Sequence, residues 1–236
     1  MNSPKIRIHE RNARGATELG WLKSKHTFSF GHFVDPLREG FRSLRVVNDD
    51  TVIPGGGFAT HGHDNMEIIS VVLDGALEHK DSMGTGSVIS PGEIQKMSAG
   101  TGITHSEYNH SSEEPVHFYQ IWIEPDEYDV APSYEQITLE AGRFRDGFVL
   151  VGDRDAENGT ISIRQDARMF IAMPDESTTF SYVFGVERYG FVQLASGQVT
   201  INGERLREGD GAEISHVPEV EFVAETDSQL LLFDLG

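Results

Sequence analysis

Two pairs of metal-capable side chains, each separated by one residue, constrain this chain more than any other feature: His61 and His63 in ATHGHDNMEI, and His105 and Glu107 in GITHSEYN. Successive side chains of a β-strand alternate between faces, so both members of each pair can aim at one point. Together they offer three imidazoles and a carboxylate, with no thiolate. Such donors suit a divalent first-row cation such as iron, manganese, cobalt, nickel, copper or zinc, and not an iron-sulfur cluster. The pattern predicts a metal site on a β scaffold.

With 10 histidines in 236 residues, a lone His-x-His arises by chance in about two such chains in five. Its setting carries the weight. Gly55-Gly56-Gly57 lies just upstream, Glu67 follows four residues after His63, and Asp74-Gly75 marks a tight turn after MEIISVVL. Around the second pair, Gly102, His105 and Asn109 fall at spacings of three and four, after a Pro91-Gly92-Glu93 turn.

Glycine is abundant, at 25 residues, and MEIISVVL, VHFYQIWI and QLLLFDL are short apolar runs rich in β-branched and aromatic residues, which favours many strands over long helices. KIRIH reads as an alternating strand, FRSLRVVNDD as a strand ending in an Asn-Asp-Asp turn, and MEIISVVL with ALEHKDSM as a hairpin closed by Asp74-Gly75. EPDEYDVAPSYEQ has acids, two prolines and no apolar periodicity, as a linker would, placing a boundary near residue 140. Residues 1–140 then form a domain carrying the metal pairs, and 141–236 a second, punctuated by hairpin-type dipeptides at Asn158-Gly159, Asn202-Gly203 and Asp210-Gly211. VLDGALEHKDSMGTGSVISPGE laid over LASGQVTINGERLREGDG shows a faint repeat, implying two copies of one barrel. The second copy has His216 as its only histidine and is expected to hold no such metal.

A net charge of −19 without a basic stripe argues against direct nucleic-acid binding. The absence of cysteine removes disulfides, thiolate ligands and cysteine nucleophiles. MNSPKIRIHE lacks an apolar signal core and no apolar stretch reaches membrane-spanning length, so a cytoplasmic protein away from membranes is expected. No Gly-x-Ser-x-Gly, phosphate loop or dinucleotide fingerprint is present. His79 and His117 read as plain strand residues, Asn65 and Asn109 as turn or strand supports, and Phe28, Phe30, Phe33 and Phe58 as barrel filling.

Gly55 with His61, His63 and Glu67, then Gly102 with His105 and Asn109, resemble the two metal motifs of the cupin superfamily, in order as well as content. Over residues 20–110 the segments GWLKSKHTFSFGHFVDP, LRVVNDD, GGGFATHGHDNMEIISVVLDGALEHKDSMG and MSAGTGITHSEYN more closely resemble the bacterial pirin-like proteins. That resemblance implies an all-β bicupin, two jelly-roll barrels in tandem, with the site in the first and His26 of HTFSF a candidate for its mouth. It makes His61, His63, His105 and Glu107 the ligands. The general cupin pattern would use Glu67 instead, and strand parity leaves both open, since Glu67 matches His61 and His63 while Glu107 matches His105. With Glu107 as ligand, Glu67 is expected to accept a hydrogen bond from a ligand imidazole.

The resemblance further implies a dioxygenase that opens a flavonol such as quercetin with loss of carbon monoxide. It would use iron(II), or nickel, manganese, cobalt, copper or zinc, with a phenolic substrate, O2 and Glu107 as general base. The alternative is a metal-containing regulatory protein acting through protein partners, as pirins of higher organisms are thought to do. A closed structural zinc is the third reading, weakened by the lack of cysteine.

Overall fold

The computed structural model describes residues 4–140 and 142–236. Apart from single 3-10 turns at Arg11–Ala13 and Glu157–Gly159, regular structure among the described residues is all β. Two compact units divide the chain: Gly15–Leu139, and Met1–Arg14 together with Glu140–Gly236.

The chain enters through β1 (Lys5–His9), which belongs to the second unit. The first unit then follows as β2 (Gly15–Leu19), β3 (Leu22–His26), β4 (Leu44–Val52), β5 (Gly57–His63), β6 (Glu67–Asp74), β7 (Leu77–Asp81), β8 (Gly86–Ile89), β9 (Glu93–Ser98), β10 (Ile103–Asn109), β11 (Val116–Ile123) and β12 (Ser133–Thr138). Seven strands pair in the order β12-β9-β6-β11-β4-β3-β2, and four in the order β5-β10-β7-β8. One apolar cluster joins Leu22, Val52, Val72, Val116 and Phe118 to Leu77 and Ile89, and another joins Ile68, Met97 and Ala99 to Ile103. Each draws on both sheets, so the core lies between them, as in a jelly roll. Full burial of each such aliphatic side chain stabilises the fold by about 1.5–3 kcal/mol.

Three local expectations differ from the structure. Asp74-Gly75 closes no hairpin: β6 lies in the seven-stranded sheet and β7 in the four-stranded one, so the dipeptide is the corner where the chain changes sheets. Gly75 fits that corner because its φ is +77° and a Cβ would stand 2.5 Å from the carbonyl oxygen of Pro115. Asn48-Asp49-Asp50 is not a turn but lies within β4, where Asn48 bonds His26 and Asp49 bonds His117 on the flanking strands. The presumed linker holds a strand, since Ser133–Thr138 pairs with β9 along its length.

The second unit contains β13 (Val149–Asp153), β14 (Ile161–Ser162), β15 (Ala167–Ala172), β16 (Thr179–Val183), β17 (Tyr189–Ser196), β18 (Gln198–Ile201), β19 (Glu204–Arg207), β20 (Gly211–Ser215), β21 (Glu219–Ala224) and β22 (Gln229–Leu235). Its sheets run β1-β20-β17-β22-β15-β13-β14 and β16-β21-β18-β19, around a core including Val192, Leu194, Ile201, Phe222 and Leu232. The faint sequence repeat is therefore a repeat of topology, for β9-β6-β11-β4 and β5-β10-β7-β8 correspond to β20-β17-β22-β15 and β16-β21-β18-β19. Gly197 matches Gly75, with φ +86° at a second sheet-changing corner. Assignment of residues 1–14 to the first barrel fails, because β1 pairs with β20 from Lys5↔Ser215 to His9↔Gly211 and takes the edge place that β12 holds in the other unit. Of the three dipeptides, Asn202-Gly203 closes the β18–β19 hairpin, Asn158-Gly159 ends a 3-10 turn and Asp210-Gly211 leads into β20.

Candidate metal centre

Strand β10 is central in the four-stranded sheet, so its inward residues meet inward residues of two neighbours. Against β5, His105 stands opposite His61 and Ile103 opposite His63; against β7, His105 faces Asp81 and Glu107 faces His79. The register with β5 shifts between His105 and Glu107, the mark of a bulge, which re-aims side chains locally. Ring centroids of His61, His63 and His105 lie 4.5, 4.8 and 4.9 Å apart pairwise. Ligand-capable atoms of these three histidines fall within 4.8 Å of one another, and those of His79, His105 and Glu107 do the same, so two groups share His105.

Exposure falls from the outer group to the inner one. His61 and His63 are half-buried, whereas His79, His105 and Glu107 are 0, 1 and 1% exposed. An open depression beside Gly62, Ser82, Thr101 and Thr104 reaches His63. The cluster is thus reachable from solvent at one end and dry at the other.

Each candidate donor is held in a form that can ligate. His61 Nδ1 lies 2.8 Å from the carbonyl oxygen of Ala59, so it carries the proton and Nε2 keeps its lone pair. Both ring nitrogens of His105 are buried without a hydrogen-bond partner. Burial, with His61, His63 and His79 adding to it, pulls the His105 pKa down to about 3, and burial beside His61 takes that of His63 to about 4. Both are therefore neutral at pH 7, as ligation requires. Burial raises the Glu107 pKa, opposed by its hydrogen bonds: Gln120 Nε2 donates to Oε2 at 2.7 Å and Ser70 Oγ to Oε1 at 3.5 Å. Trp122 Nε1 donates to Gln120 Oε1 at 3.2 Å, fixing that amide, and its ring meets His63 edge-on at 5.0 Å. Phe30 packs on Trp122 at 5.6 Å, giving the outer group an aromatic wall.

Glu67 is elsewhere. Ser70, three residues along β6, faces Glu107, so Glu67 points to the other face of the sheet, where Ser98 Oγ donates to it at 2.9 Å and Lys96 Nζ pairs with it at 3.1 Å. The expected contact between Glu67 and a ligand imidazole is replaced by this buried ion pair. His26 is 1% exposed, bound to Asn48 and Thr17 at 2.8 Å each, and lines no mouth. His117 pairs with Asp49 at 2.7 Å, and Asn109 caps a turn through Val52, Glu114 and Ser111.

Two residues escaped the sequence reading. His79, an ordinary strand residue by sequence, joins the inner group; its i, i+2 spacing to Asp81 is the available signal. Asp50, read as part of a turn, is buried near Glu107, with Ser24 bonded to its carboxyl and Oδ1 unpartnered, and burial takes its pKa up to about 7. Polar residues interrupting an otherwise apolar strand were its signal.

Residues 7–123 match the Pirin family model and residues 150–235 that of the quercetinase C-terminal cupin domain. Quercetin 2,3-dioxygenase of Escherichia coli (strain K12) is 44% identical over 232 residues, 98% of each chain, and a pirin-like protein of Caulobacter vibrioides is 39% identical over 93% of this chain and 95% of its own. The crystal structure of the bacterial pirin YhhW of E. coli in complex with nickel(II) superposes with a TM-score of 0.93 at 42% identity, covering 98% of this chain and 99% of that one.

Proposed function

This chain belongs to the pirin family, with two cupin domains in tandem, and on that footing we propose that it is a metal-dependent dioxygenase that opens a flavonol such as quercetin, releasing carbon monoxide. The observation that carries the reading is the convergence of three imidazoles at 4.5–4.9 Å, two of them reachable from solvent. A structural ion would instead be sealed.

His61, His63 and His105 would hold the cation, with Glu107 completing the set. The all-nitrogen-and-oxygen donors fit iron(II), our assignment, as well as the nickel(II) held by the related YhhW. When bound, the cation supplies Lewis acidity that favours the anionic form of a substrate hydroxyl and a centre at which oxygen chemistry can proceed. Glu107 accepts the hydroxyl proton, and burial, which raises its carboxyl pKa, strengthens it as a base. Trp122 and Phe30 present apolar faces beside His63 to a flat phenolic ring. Localisation in the cytoplasm is part of the same proposal; among the described residues no helix is long and apolar enough to cross a membrane.

Protein purified without added metal is expected to carry a divalent transition metal and, with quercetin, to consume oxygen and release carbon monoxide together. Turnover that persists unchanged in anaerobic buffer would sink the dioxygenase reading. Metal without oxygen uptake on any flavonol would favour a regulatory protein.

A further inference from the structure

Strand β7 turns His79 inward behind the three-histidine cluster. The imidazole is fully buried, its Nε2 lies 3.1 Å from Asp81 Oδ2, and the Asp81 side chain is itself fully buried. Its other nitrogen, Nδ1, is buried with no hydrogen-bond partner. An imidazole gripped by a carboxylate on one nitrogen and bare on the other is arranged as metal-bound histidines are, the carboxylate fixing ring orientation and raising basicity. Left bare, a buried nitrogen of this kind destabilises the fold, a penalty that ligation would relieve.

Nδ1 has company. The ligand atoms of His79, His105 and Glu107 lie within 4.8 Å of one another, and β7 and β10 fix the placement by pairing His79 directly with Glu107. Both nitrogens of His105 are unpartnered, so when both seats fill the ring can bridge them as an imidazolate, its N–H proton released to solvent. Glu107 likewise has two carboxylate oxygens. The fully buried Asp81 side chain adds a carboxylate behind His79.

We propose that His79, His105 and Glu107, oriented by Asp81, form a second cation seat for a divalent first-row metal, inward of the seat made by His61, His63 and His105. It rests on the metal-binding reading of the outer cluster, with which it shares His105 and Glu107. It does not depend on the oxygenase activity.

The test is metal stoichiometry. Protein stripped with chelator is dialysed to equilibrium against nickel(II) and its metal counted per chain, for the wild type, His79→Gln and Asp81→Asn. Two ions are expected for the wild type and one for His79→Gln. Asp81→Asn should retain two, the weaker step loosened 10–100-fold. It keeps the Oδ1 acceptor that binds the Met83 and Thr85 amides at 2.9 and 3.1 Å, so it preserves the β7–β8 turn should His79→Gln fail to fold. One ion in the wild type, or two in both wild type and His79→Gln, overturns the inner seat and leaves the outer one standing. An Asp81→Asn protein with unchanged affinity for both ions also overturns it. No retained metal in any protein overturns both seats.

Discussion

Glu67 and Glu107 have opposite surroundings, and single substitutions separate them. Glu107→Gln removes a donor beside His105, so metal content should fall while the fold persists. Glu67→Gln deprives the fully buried Lys96 of its nearest carboxylate, leaving Glu135 at 3.3 Å. It should cost about 3 kcal/mol, the lower end for breaking a buried pair, and leave metal content unchanged, as denaturant melts and metal analysis would show. Strand parity within each segment was legible in the sequence, but it could not reveal that the His63–Glu67 turn carries the chain into another sheet. Asp50 gives a pH signature. Its folded pKa of about 7 lies above the unfolded value near 3.8, so between them the folded state keeps a proton the unfolded chain has lost, and stability drains away as pH rises through that window. Asp50→Asn escapes this loss. Without metal it should match the wild type near pH 4 and exceed it by on the order of 4 kcal/mol at pH 8; parallel melting curves across that range would refute the assignment.

Between β5 and β10, close backbone approach sets where the donors point. A Cβ at Gly57 would stand 2.5 Å from the carbonyl oxygen of Glu107 and 2.6 Å from Cα of Tyr108, backbone atoms that cannot swing aside. Gly57→Ala should therefore push the strands apart, costing about 1–3 kcal/mol and weakening metal binding, although residue 57 carries no donor of its own. Equal metal affinity in the two proteins would show that the pairing does not govern the site. The apolar strands β6 and β11 were legible because a run of β-branched and aromatic residues has few other uses. β12 was not, since SYEQIT is only partly buried and gains its partner solely by reaching the edge of β9.

Each unit repeats the same two-sheet order, yet only Gly15–Leu139 brings His-x-His and His-x-Glu pairs to its four-stranded sheet. In the other, His216 sits in a turn with φ +58°. Calorimetry with and without metal should accordingly show one transition moving and another staying. Free metal at a hundred times Kd adds about 2.7 kcal/mol to the unit that binds it, roughly 10 °C for a domain of this size. A uniform shift of all transitions would contradict a single metal-bearing unit. The β class, the doubling of the barrel and the two candidate donor pairs could be read along the chain, because alternation, turn dipeptides and i, i+2 spacing are properties of sequence neighbours. That Glu67 serves Lys96, that His79 and Asp50 stand near Glu107, and that β1 completes the second unit emerged only with the folded chain. Those outcomes depend on register and on which sheet each strand joins, and both are fixed by pairings between segments far apart in sequence.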